Sequence, residues 1–152
     1  MLLMLFNIGE DRFAIDAREL VEVVPSVPLQ TVYGMPLGVA GLLAYQAGVV
    51  PVIDLGVLTT GQPCTLRLST RILVVHYRPG PAGARIGLRV DRANDTVRVD
   101  PEDFIATGLT APEPPCFGRV LRRGQHTVQL VEVEQLLSDS VRQSLFTEAQ
   151  PT

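Results

Sequence analysis

The sequence predicts a mostly β protein with about nine or ten short strands and little helix, the pattern of small barrels. Two observations carry this. Apolar residues make up 46% of the 152-residue chain and come in runs of four to seven, whereas a bilayer-crossing helix needs about 20 in a row. Helical spacing is sustained only near the C-terminus, where Leu137, Val141 and Leu145 stand four apart. No period of about 20–50 residues recurs, so a solenoid or propeller is rejected. The length suits one domain or two small lobes sharing a core.

The elements follow in order. Leu2–Ile8 is an apolar run, Gly9-Glu10-Asp11 a turn, and Arg12–Asp16 places Phe13 and Ile15 on one face. Asp16-Ala17-Arg18-Glu19 has capping-box spacing, which predicts a brief helix with Glu19 reaching back. Val21–Val24 is extended again, and Pro25 stops it. Pro25–Gly38 is a loop, and Gly41–Leu55 reads as a hairpin closed by a cap. Thr59–Pro63 is a looser stretch before Thr70–Tyr77, whose unbroken Ile72–Val75 predicts a strand buried on both faces.

Pro79–Gly83 is a hairpin tip. Beyond it Ile86, Leu88 and Val90 alternate with Arg85, Gly87 and Arg89, predicting a half-buried strand. Asn94-Asp95 offers a turn before Thr96–Val99. Asp100-Pro101-Glu102-Asp103 is a helix start with acid in the first turn. A Pro-rich loop, Thr107–Pro115, leads to a last hairpin of Phe117–Arg122 and His126–Val133 across Arg123-Gly124-Gln125. Glu134–Phe146 is expected as one helix and Thr147–Thr152 as a polar tail.

Composition narrows the function. A net charge of −3 and a pI near 5.3 argue against a nucleic-acid partner held by phosphate neutralisation. Met1–Phe6 is apolar but has no basic flank or cleavage site, so it is expected as a strand in a cytoplasmic protein, with no direct membrane insertion. All 13 basic residues are Arg, whose planar forks suit bidentate contacts at interfaces. Cys64 and Cys116 have no C-x-x-C partner and no clustered His, so they are expected as buried reduced thiols without metal.

Catalytic constellations are missing. A nucleophile needs a base held by a third group, and the only imidazoles, His76 and His126, sit at strand ends as structural or solvated groups. The glycines of Gly80–Gly87 join two strands, whereas a phosphate cradle must open a helix. Asp100, Glu102 and Asp103 are spaced for capping and lack the calcium-loop glycine. Arg119, Arg122 and Arg123 flank a turn and read as solvated surface, not as a cyclic-dinucleotide site. A chain of this kind works by contacts, without enzyme activity or cofactor; the alternative is a small-ligand-binding β-barrel regulator.

From Leu2 to about Leu145 the order of signals resembles the CheW-like domain family. LFNIGEDRFAIDARELVEVV is similar to its first two strands and short helix, with Glu22-Val23 at the family's E-V pair. Gly41, Pro51 and Asp54-Leu55 keep a G…P-x-x-D-L spacing. Ser69–Val75 and Gly87–Val99 resemble the paired strands around G-x-x-V-D-x-V, and HTVQLVEVEQLL the closing strand and helix. The resemblance implies a single domain over 1–146, made of two five-stranded SH3-like barrels sharing a hydrophobic core. It also implies an adaptor joining the cytoplasmic tip of a methyl-accepting chemoreceptor to the regulatory domain of a CheA-type histidine kinase, with other CheW-like proteins as further partners. LLxY before the central turn, with the short chain, is similar to the Wsp-type surface-sensing subgroup.

The candidate contact residues implied are Gly41, Tyr45, Gln46, Ala47, Gly48, Pro51 and Asp54. The turn itself departs from the family, which usually carries Arg-Gly where this chain has Gln46-Ala47. Gln keeps hydrogen bonding but loses the charge. Ala47 in a left-handed conformation would cost about 1 kcal/mol, so the turn is expected to shift one residue and use Gly48.

Overall fold

The computed structural model describes residues 1–106, 108 and 114–146. Strands β1 (Leu2–Ile8) and β2 (Asp11–Asp16) form a hairpin, and a single 3-10 turn at Ala17–Glu19 leads to β3 (Leu20–Pro25). The central hairpin is β4 (Val39–Tyr45) and β5 (Gly48–Asp54), followed by α1 (Leu55–Thr60). Next come β6 (Thr70–His76) and β7 (Arg85–Arg98), then β8 (Phe104–Ile105), β9 (Phe117–Arg123), β10 (His126–Val131) and α2 (Asp139–Leu145).

Hydrogen bonding runs β3-β6-β7-β1-β2-β10-β9-β8, with β5 joining β7 and β4 joining β5. Strand β7 organises the fold. Its first half pairs antiparallel with β6 and parallel with β5, while its second half pairs with β1. The strands therefore curl into two SH3-like barrel lobes that meet along β7. One lobe encloses Leu43, Val50, Val52, Ile72 and Val74, and the other Leu3, Leu5, Leu121, Val128 and Leu130. A larger cluster that includes Phe6, Phe13, Leu73, Leu88 and Leu136 lies between them and belongs to both. Val50, Val52 and Ile53 of the hairpin are buried, as are the predicted core residues Ile72–Val75.

Three expectations are corrected. The turn predicted at Asn94-Asp95 does not form: β7 runs 14 residues without a break. Its bend falls earlier, at Arg92 with φ 51 and a pairing shift between Leu5 and Asn7. The first half of β7 keeps the predicted alternation, with Ile86, Leu88 and Val90 buried and Arg85 and Arg89 partly exposed; Gly87 is buried as well, and Arg89 folds inward onto Asp54. The C-terminal helix is not continuous. A 3-10 turn at Val133–Gln135 buries Leu136 and Leu137, and the Ser138 hydroxyl then accepts from the Val141 N–H at 3.3 Å to start α2 afresh. Finally, Glu19 does not reach back to a cap; its carboxylate lies 3.3 Å from Arg78. Asp16 alone caps that turn, and its hydrogen bond from Arg18 holds its carboxyl below the usual range.

The Val141 and Leu145 stripe does face the shared core, as its spacing predicts. Strand β8 carries no sequence signal of its own. The predicted tail at 147–152, and the Pro-rich loop at 107 and 109–113, lie outside the described residues.

Gly87 sits at a tight side-chain contact of the first lobe. A Cβ there would stand 2.9 Å from Ile72 Cγ2 and 3.0 Å from Val52 Cγ2. Both neighbours are fully buried and have no room to retreat. Gly87→Ala is therefore expected to lower stability by about 1–3 kcal/mol through overpacking, as read by urea unfolding. An unchanged midpoint would mean that β5 and β6 do not close on β7 as described.

Candidate functional site at the tip of the central hairpin

Tyr45 pairs with Gly48, so Gln46 and Ala47 are the two residues of the turn. The left-handed residue is Gln46, with φ 54; neither Ala47 nor Gly48 has a positive φ. The expected shift onto Gly48 is thus overturned. Two-residue hairpin turns that match the twist of the flanking strands require a positive φ at the first central residue. Glycine normally takes that place, and Gln46 holds it at about 1 kcal/mol. Gly48 instead opens β5.

Around this turn the candidate residues separate by exposure. Gln46, Ala47 and Gly48 are exposed and Tyr45 is half-buried, whereas Gly41, Pro51 and Asp54 are buried. The buried three hold the hairpin from within. Gly41 permits a close crossing with the preceding loop, since a Cβ there would meet Gln30 O at 2.7 Å. Its neighbour Leu42 exchanges backbone hydrogen bonds with Gln30 at 2.8 and 2.9 Å.

Asp54 is the most heavily bonded side chain at the hairpin base. It is 2% exposed. Oδ1 accepts from the Gly56 N–H at 2.8 Å, capping α1, and from the Cys64 N–H at 3.1 Å. Oδ2 faces Arg89 Nη1 at 3.3 Å. One carboxylate thus ties β5, α1, the following loop and β7 together. Cys64 is half-buried and Cys116 buried, and neither forms a disulfide. Burial, reinforced by the Asp54 carboxylate, pushes the Cys64 thiol up to about 12, which suits a structural and unreactive group.

The tip carries one cation that sequence inspection did not attach to it. Arg85, at the start of β7, donates from Nη1 to Gln46 Oε1 at 3.4 Å and lies 6.0 Å from the centre of the Tyr45 ring. Partial burial and the nearby Glu22 carboxylate raise the Tyr45 phenol above its usual value. Beside these residues is a groove of about 580 Å³ between the hairpin and the end of α2. Elsewhere, His76 closes β6 and His126 opens β10. Among the described residues, no group of three His, Cys, Asp or Glu could hold a metal. No helix among them is long and apolar enough to cross a membrane.

Two barrel lobes joined along one long strand, with an exposed hairpin tip, make up the fold. The CheW-like domain family matches residues 2–141, and the chain belongs to it. The fold is also that of the crystal structure of the scaffolding protein TtCheW from Thermoanaerobacter tengcongensis. The two superpose with a TM-score of 0.79 at 18% identity, over 95% of this chain and 92% of that one. No curated protein matches the sequence.

Proposed function

We propose that this protein is a non-enzymatic adaptor of chemotaxis-type signalling. It couples the cytoplasmic tip of a methyl-accepting chemoreceptor to the regulatory domain of a CheA-type histidine kinase, working in the cytoplasm at receptor arrays. The observation that carries this reading is family membership over nearly the whole chain. Its structural neighbour TtCheW is a scaffolding protein, which agrees with it. The exposed face of the hairpin, Tyr45 to Gly48, is the proposed contact surface, and Gly41, Pro51 and Asp54 are its internal supports. Another CheW-like protein is a further candidate partner.

Calorimetry tests the reading directly. At tens of micromolar the purified protein is expected to bind the regulatory domain of the kinase encoded beside it. Absence of binding to every such kinase would count heavily against an adaptor.

The tip is tested by the double variant Gln46→Arg with Ala47→Gly. Both positions are exposed, so stability is expected to stay within about 1 kcal/mol. Partner affinity is expected to change, because a new guanidinium pairs with carboxylates that Gln cannot neutralise and crowds Arg85. Unchanged affinity for both the receptor tip and the kinase domain would remove the turn from the recognition surface.

A further inference from the structure

The charge at the hairpin tip comes from β7, not from the turn. Among the described residues Arg85 makes no ion pair, whereas Arg18, Arg78, Arg89, Arg92 and Arg142 each pair with an Asp or Glu. Its polar contact is with the neutral Oε1 of Gln46, and the nearby carboxylate is that of Glu22, on the Tyr45 phenol. The Tyr45 ring and Gln46 hold the guanidinium at the rim of the groove. The groove wall beneath is largely apolar, with Met35, Leu42, Val49, Leu145 and Phe146, and Val49 is 54% exposed.

An apolar trough with one held cation on its edge, free of a direct ion pair, has a definite complement. We infer that the groove docks a segment of a partner protein whose apolar side chains are flanked by Asp or Glu, and that Arg85 is the residue that selects the acidic flank. This inference rests on the adaptor reading and deepens it. Gln46 then acts as a positioning residue that presents Arg85. A guanidinium meets a carboxylate with two parallel N–H donors, and in a partly dry groove such a contact is stronger than between solvated charges. A basic flank would be repelled.

The test uses the full chain titrated by calorimetry with the chemoreceptor-tip fragment and the kinase regulatory domain. Wild type is compared with Arg85→Gln, Arg85→Glu and Arg85→Lys. For at least one partner, Arg85→Gln is expected to weaken binding about tenfold, Arg85→Glu to weaken it further, and Arg85→Lys to stay nearer wild type. The wild-type affinity should also fall with added salt more steeply than that of Arg85→Gln. Thermal melts of the variants exclude a folding defect. If wild type binds and Arg85→Glu binds both partners equally well, the assignment of Arg85 is overturned while the adaptor reading stands. If wild type binds neither partner, the adaptor reading fails and the inference falls with it. If wild type self-associates and Arg85→Glu abolishes this, the occupant is a second copy of the chain and the inference is overturned.

Discussion

Asp54→Ala is expected to remove about 3–5 kcal/mol of stability, the range for breaking a buried ion pair from one side. The carboxylate is nearly inaccessible and accepts from the Gly56 and Cys64 N–H groups as well as facing Arg89. Its loss strands two backbone donors and a guanidinium whose side chain is only 14% exposed. Asp54→Asn keeps an acceptor for one N–H but loses the charge, so it should fall between wild type and Ala. Removing both partners, with Asp54→Ala and Arg89→Met together, should cost less than the sum of the single changes, since no charge is then left unpaired. Urea unfolding of the four proteins gives this cycle. A loss below about 1 kcal/mol for Asp54→Ala would mean that the base of the hairpin is held by something else.

Truncating the strand cores is expected to cost about 2–5 kcal/mol for each of Ile72→Ala and Ile53→Ala. Ile72 is fully buried in the cluster of the first lobe, and Ile53 is buried in the cluster shared by both lobes. The site at Ile72 is tight because Gly87 closes on its Cγ2. Relaxation into the space left behind is therefore limited, and the larger end of the range applies there. Losses under about 0.5 kcal/mol for both would show that the core has been placed on the wrong strands.

Local signals and pair geometry divide the account of this protein between sequence and structure. Residues whose environment follows from near neighbours were legible. The unbroken Ile72–Val75 run indicated a strand covered on both faces, and all four residues are buried. The Leu137, Val141 and Leu145 spacing indicated a stripe against the core, and it packs there. Family membership was also legible, because it rests on the order of such signals along the whole chain.

Two of the failures share one cause. Asn94-Asp95 is good turn chemistry, yet pairing with β1 as far as Leu5↔Asp95 keeps that stretch extended. On local preference Ala47 and Gly48 compete for the left-handed place, but the register Tyr45↔Gly48 assigns it to Gln46. Tertiary pairing overrides local preference when many ladder hydrogen bonds and a buried face outweigh about 1 kcal/mol of backbone strain.

By itself the sequence determined a β fold of short strands, its core runs, its family and the hairpin that carries the candidate surface. Only the tertiary structure decided which residues of that hairpin face outward and which support it. It alone brought Arg85 to Gln46 across 39 positions, and Arg89 to Asp54 across 35. Both contacts arise because β5 lies parallel to β7, pairing Ile53 with Leu88. A parallel register is fixed by long-range packing of two buried strands, and no local run of residues encodes it.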